Sequence, residues 1–274
     1  MVKVYEHDAN PGHKLQIVLR ELFPYVDDNK PSFISRIDDA LGADEEFAGL
    51  VYDSAINYMV RRLISTARFF KRQIESEGLP DSALVNTLRS FVERQINLPP
   101  NKTELIFTLL FECAKISGRR PSSERLKRMK RTAISEGKDL YCHVCGIATN
   151  LVDENEYNSA TLDHIWPNSL GGSNSDQNLR IVCFNCNKSK ANYIEASDFH
   201  YEEICLSVGK EDLNFSTNMK RTYEVAIWAK SNFECLKCNK PAVYIGKLQF
   251  SRRNTNDSWH FLNVDAYCQN HTRE

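Results

Sequence analysis

Residues 161–190 read TLDHIWPNSLGGSNSDQNLRIVCFNCNKSK. The stretch closes on one CxxC pair, Cys183 and Cys186, and an earlier pair, Cys142 and Cys145, precedes it. Four thiolates at this spacing suit a tetrahedral zinc knuckle, and with all four positions filled by sulfur such a zinc has no place for a reacting water. Asp163-His164 and Asn178 lie between the pairs, and Asn187 follows the second. Oxygen donors of this kind suit a hard cation, and an imidazole titrating near neutrality suits proton transfer. The segment therefore predicts two metals of different character, one structural and one able to support chemistry on a phosphate ester.

The rest of the chain is consistent with an intracellular setting for those thiols. Six of the nine cysteines form three CxxC pairs, and Cys268 has His271 three residues on. This usage points to metal more than to disulfides. Cys113 and Cys205 remain, and both read as core thiols. With 274 residues and 42% hydrophobic content the chain can bury a substantial core in two or three domains. Its longest apolar run, LIFTLLFECA at 105–114, is too short to span a bilayer, and MVKVYEHDANPGHK at the start lacks a secretion signal. Cytoplasm and no membrane are the expectations.

Before the first CxxC the pattern is helical. Leu15, Val18, Leu19 and Leu22 share a face, and Pro31 and Gly42 bracket an element carrying Phe33, Ile37 and Leu41. Phe47, Leu50, Val51, Met59, Leu63 and Phe70 recur through 45–77. Leu84, Leu88, Phe91 and Val92 mark a further helix that Pro99-Pro100 should stop, after which Asn101 and Glu104 occupy capping-box positions ahead of Ile106, Leu109 and Leu110. Net charge is −1, with no global signature of a polyanion binder, yet residues 116–140 hold eight Lys and Arg against three Asp and Glu. There Leu126, Met129 and Ala133 line one helical face, and Arg125, Lys127, Arg128, Lys130 and Arg131 cover the rest, suited to phosphates. A solvated linker helix is the plain alternative.

The combination YCHVCG, LDHIWPNSLGG, Asn178-Leu179 and CFNCNKSK resembles the HNH nuclease family in its four-cysteine, ββα-metal form. The resemblance covers about a fifth of the chain. It implies that Asp163 and His164 end the first strand, that GGS lies in the connection, and that the second CxxC leads into the helix. It further implies a general base at His164, ligands for Mg²⁺ or Mn²⁺ at Asp163 and Asn187, and a loop-holding role for Asn178. The family often has His where Asn187 stands; an amide oxygen there favours Mg²⁺ or Mn²⁺ over a transition metal. Lys188 and Lys190 would face backbone phosphates, and His143 reads as an exposed bystander.

A second zinc site is expected at Cys235, Cys238, Cys268 and His271, with AVYIGKLQF and WHFLNV as the strands of a small ribbon between the pairs. Lys247, Arg252 and Arg253 in that ribbon read as solvated surface, and His200 and His260 as ordinary residues. The whole reads as an α+β chain: an α-helical domain at 1–117, a basic helix or linker at 118–140, an HNH module at 141–205 and a zinc-ribbon-like domain at 206–274. The resemblance implies a metal-dependent endonuclease hydrolysing DNA, in a setting such as restriction or anti-phage defence, with RNA as an open substrate. In that reading the helical domain would supply target recognition, homodimerisation or partner contact; the alternatives are a non-catalytic nucleic-acid-binding zinc protein and a nuclease effector inert alone, whose helical domain would dock a sensor protein.

Overall fold

The computed structural model describes residues 10–25, 45–96, 98–116, 123–153, 156–198, 221–256, 259 and 261–272. The element expected between Pro31 and Gly42, and Cys205, His200 and His260, lie outside the described residues. The described residues fall into two compact units, one drawn from Pro121–Asp163 and Leu179–Glu274, the other from Tyr5–Arg120 and His164–Asn178.

The second unit contains helices α1 (Pro11–Leu22), α2 (Glu45–Ser76), α3 (Asp81–Gln95) and α4 (Pro100–Ile116). Their core is formed by Leu15, Leu19, Ile56, Ile64, Leu88, Ile106 and Leu110, each essentially without solvent exposure. Burying each such side chain contributes roughly 1.5–3 kcal/mol relative to leaving it exposed. The buried face of α2 differs from the expected one. Of the six residues read as its apolar stripe only Leu63 is buried, and the helix instead turns Ala48, Tyr52, Ile56, Val60, Ile64 and Ala67 inward. Close packing against neighbouring helices selects the small alanines over the larger Phe47 and Phe70. The capping box also differs: α4 begins at Pro100, so Asn101 is already helical, and Glu104 pairs with Arg89 of α3. A buried hydrogen bond from Gln16 to Asn57, 2.6 Å, ties α1 to α2.

In the first unit, α5 (Ser123–Ser135) precedes strands β1 (Ala160–His164, whose last residue is counted with the second unit) and β2 (Leu179–Cys183), which form one two-stranded sheet and lead into α6 (Phe184–Lys190). Then come α7 (Arg221–Lys230), a one-turn helix α8 (Ala242–Ile245), and antiparallel β3 (Gln249–Arg252) and β4 (Val264–Tyr267). The first half of AVYIGKLQF is thus helix α8 and only its end is strand, because Pro241 stands at the N-cap and Gly246 closes the turn at φ 84°. The second strand likewise starts later than WHFLNV proposes. Helix α7 buries Val225, Ala226, Ile227 and Trp228 in succession, packed against α6 and β4. Asp265 on β4 is 1% exposed and receives both Lys230 of α7, at 2.9 Å, and Arg253. Among the described residues no helix is long and apolar enough to cross a membrane.

Candidate metal centres and catalytic loop

Both cysteine clusters close up in space, and both lie in the first unit. Ligand atoms of Cys142, Cys145, Cys183 and Cys186 all lie within 4.8 Å of one another, and the same holds for Cys235, Cys238, Cys268 and His271. A tetrahedral zinc with Zn–S bonds of about 2.3 Å needs sulfurs about 3.8 Å apart. Cys145 Sγ and Cys183 Sγ are 3.9 Å apart. His271 Nδ1 stands 3.2 Å from Cys268 Sγ and 3.5 Å from Cys235 Sγ, against about 3.6 Å for a shared zinc with a nitrogen ligand near 2.0–2.1 Å. Both clusters could therefore hold structural zinc.

The two knuckles share one backbone design. Cys142 N–H donates to the Ile147 carbonyl at 2.8 Å and Gly146 N–H to the Cys142 carbonyl at 2.8 Å; Cys235 N–H donates to Lys240 at 3.0 Å and Asn239 N–H to Cys235 at 2.8 Å. The residue after the second cysteine is left-handed in each, Gly146 at φ 70° and Asn239 at φ 55°. Glycine and asparagine adopt this conformation most readily. A β-carbon on Gly146 would also strike the carbonyl of Gly246, so glycine is needed there on two counts. The Sγ of Cys183 accepts from the Cys186 N–H at 3.4 Å as the N-cap of α6.

Electrostatics favour the thiolate form in parts of each cluster. Hydrogen bonds from the Cys142 and Cys145 thiols hold the Cys183 thiol well below its ordinary range. The Arg221 guanidinium lies 3.2 Å from Cys186 Sγ and stacks over Trp228 while pairing with Glu224 at 2.6 Å. A cation beside a thiolate stabilises it, but hydrogen bonding with Cys142, Cys145 and Cys183 leaves the Cys186 thiol itself raised. Burial raises the Cys235 thiol, but N–H groups of the knuckle backbone and the His271 imidazole outweigh it and bring the thiol down to about 6. His143 is half-buried with its Nε2 enclosed, its ring 5.8 Å from that of Phe233. It is thus not the exposed bystander expected. Burial, with the positive charges of Arg180 and Lys190, depresses it to about 3.

Of the oxygen donors, Asp163 and Asn187 belong to the first unit. The Asp163 carboxylate accepts the Lys190 ammonium at 2.9 Å, with the two side chains 12% and 8% exposed. Lys190, expected to face phosphates from α6, is therefore turned inward onto the carboxylate; Lys188 is exposed. Asn187 donates its Nδ2 to Thr161 Oγ1 at 3.0 Å and to the Leu162 carbonyl at 3.3 Å, an arrangement that commits the nitrogen and directs Oδ1 elsewhere. On α5, Arg128 and Arg131 are exposed and Arg125 is half-buried. Arg131 and Lys127 both reach Glu124, at 3.6 and 3.2 Å. Lys130, also expected on the phosphate side, is buried beside Ala133.

His164 and Asn178 belong to the helical unit. His164 is the last residue of β1, and its Nε2 lies 2.8 Å from Asn174 Oδ1. An amide oxygen only accepts, so this assignment places the proton on Nε2 and leaves Nδ1 as the basic nitrogen. Asn178 is 1% exposed and ties the loop to itself. Its Oδ1 accepts from the Trp166 N–H at 2.8 Å, and its Nδ2 donates to the carbonyls of Trp166, at 3.0 Å, and Ser173, at 2.8 Å.

Residues 142–192 match the HNH endonuclease family. The HNH segment contains the whole first knuckle together with Asp163, His164, Asn178 and Asn187, and at the level of the family it suggests nuclease activity. The second knuckle and the helices of α1–α5 lie outside it. Neither curated proteins nor solved structures gave a match to the chain. Sequence reasoning did not find Asn174, the Lys190 pairing, Arg221 or a further asparagine, Asn10. Asn174 alone carried a usable signal, as an amide in the loop that follows the histidine.

Proposed function

We propose that the protein is a metal-dependent endonuclease that hydrolyses DNA phosphodiester bonds, with restriction or anti-phage defence as its setting. The observation that carries this reading is the HNH match over 142–192, in a segment whose four thiols converge on a cluster that could hold zinc. His164 is assigned as general base. With Nε2 engaged by Asn174, its Nδ1 takes a proton from the water that attacks phosphorus in line, and the bond to the 3′ oxygen breaks to leave 5′-phosphate and 3′-hydroxyl ends. Asn178 keeps the loop closed so that the imidazole stays aimed. Asp163 and Asn187 would hold Mg²⁺ or Mn²⁺; a carboxylate already able to bind a cation, and an amide whose nitrogen is committed elsewhere, offer the hard oxygens such an ion takes. When bound, that ion supplies Lewis-acid polarisation of the phosphate and charge stabilisation at the leaving oxygen. The two knuckles are assigned structural zinc. Arg125, Arg128 and Arg131 on α5, with Lys188 on α6, are assigned to backbone phosphates, where each contact steepens the salt dependence of binding.

The Lys190–Asp163 pair favours a second reading, in which cutting waits for a partner that draws the ammonium away. Incubation of purified wild type and His164→Ala with supercoiled plasmid and linear single strands, in Mg²⁺ and in EDTA, separates the readings. Cutting by wild type alone that needs Mg²⁺ and is lost in His164→Ala supports the self-sufficient nuclease. Binding without cutting removes it and leaves the gated effector or a non-catalytic binding module.

A further inference from the structure

Asn178 has four hydrogen-bonding positions, and the loop fills only three of them. The fourth comes from the helical region. Asn10, fully buried, donates its Nδ2 to Asn178 Oδ1 at 3.2 Å, and its own Oδ1 accepts from the Ser173 N–H at 2.8 Å. Asn10 stands at the N-cap of α1, where an asparagine side chain ordinarily accepts from the first turn of its own helix. Here it makes no such bond, and only its backbone carbonyl serves the helix, through Lys14 N–H at 3.0 Å. The carboxamide has been given up by the helix and committed to the loop.

The surroundings are built to the same end. A β-carbon on Gly12 would run into the Leu170 carbonyl, so the first turn of α1 lies directly on the loop backbone. The His13 ring packs 5.2 Å from that of Trp166, and Arg68 of α2 donates to the Ser169 carbonyl at 2.8 Å. Trp166 and Ser173, the two backbone partners of Asn178, flank this contact, and Trp166 is two residues from His164.

We infer that Asn10 is a positioning residue, whose carboxamide completes the hydrogen bonds of Asn178 and holds the loop that aims His164. The inference rests on the assignment of His164 as the base. A loop freed to shift by about 1 Å can lose as much as hundredfold in rate with little change in binding.

Asn10→Ala and the near-isosteric Asn10→Asp, which keeps the acceptor for Ser173 but loses the donor to Asn178, are compared with wild type for plasmid cleavage in Mg²⁺. In parallel, ¹⁵N-labelled histidine spectra read the tautomer of His164. The expected result is a fall in kcat of about tenfold to hundredfold with KM for DNA within twofold, melting temperature and zinc content retained in at least Asn10→Asp, and a His164 signal that changes from a single Nε2–H form to a mixture. Wild-type kcat and an unchanged His164 signal in either folded variant would overturn the inference. So would a parallel loss in which KM and stability move as much as kcat. If wild type itself does not cut, the nuclease reading fails on its own, and the His164 spectra still decide whether Asn10 holds the loop.

Discussion

Lys190→Met removes an ammonium from the Asp163 carboxylate while keeping most of the aliphatic stem. At 2.9 Å, two unit charges attract by about 6 kcal/mol at an effective dielectric of about 20. Both side chains are nearly enclosed, so salt screens the pair weakly, but desolvation of the two ions offsets much of the attraction. Removing one partner then costs about 3–5 kcal/mol, chiefly because the other charge stays buried and uncompensated. A divalent cation taking the same carboxylate must compete with the ammonium in wild type and has no such competitor in the variant. If even about 1.4 kcal/mol of the pair is surrendered on metal binding, the variant should bind metal tenfold more tightly. Free Mn²⁺ followed by electron paramagnetic resonance gives the affinity directly, without any need for cleavage. Urea denaturation in EDTA and in excess Mn²⁺ gives the stability. We expect Lys190→Met to be less stable than wild type in EDTA, to bind Mn²⁺ at least tenfold more tightly, and to recover stability as Mn²⁺ is added. An Mn²⁺ affinity equal to or weaker than that of wild type would show that Asp163 is not the ion's ligand, or that Lys190 does not compete for it.

Release of bound metal by a mercurial should free two zinc ions per chain, and Cys235→Ser with Cys238→Ser should free one; a single ion from wild type would discard the second site. Loss of that second ion should also unfold the β3–β4 region, since structural zinc in small modules contributes on the order of 10 kcal/mol, and proteolysis of the chelated protein would show it. His143, held neutral by burial and the nearby charges of Arg180 and Lys190, has a depressed folded value of about 3. Its contribution to stability is present above about pH 6.5, where the unfolded imidazole is also neutral, and is lost as pH falls toward 3, at no more than about 1.4 kcal/mol per pH unit. Since its Nε2 has no hydrogen-bond partner among the described residues, His143→Phe should flatten that acid limb at little cost near pH 7, and an equally steep limb would count against the assignment. Ala191 closes α6 at φ 46° and ψ −121°, a conformation that a side chain resists; Ala191→Gly should stabilise by about 1 kcal/mol in equilibrium denaturation.

The features legible in the sequence are those whose physics is local. CxxC spacing marks both knuckles because two thiols three residues apart can converge on one ion without help from the rest of the chain, and the helical pattern of 45–77 stops where Gly78 takes a φ of 68°. The buried face of α2 was misread because Ala48, Ala67 and Tyr52 are chosen by what packs on them, and their own hydrophobicity does not announce it. The inward turn of Lys190 has the same cause. A lysine on a short polar helix reads as solvated until a carboxylate is found 27 positions earlier in the chain and within 3 Å in space.

The candidate loop shows where local legibility ends. Three of the four hydrogen bonds of the Asn178 side chain go to residues between 166 and 173, close enough in sequence for a motif to carry them. The fourth reaches Asn10 across 168 positions, and no periodicity or spacing relates the two. An N-cap asparagine ahead of Pro11 explains itself fully as a helix start, so its real occupation is hidden behind an adequate local account. The loop can close on itself through three bonds, and the fourth adds about 0.5–1.5 kcal/mol, the usual net contribution of one intramolecular hydrogen bond. The aim of His164 is thus set partly by a helix outside the matched segment, and excising 142–192 as a free module should retain the first knuckle while loosening the histidine.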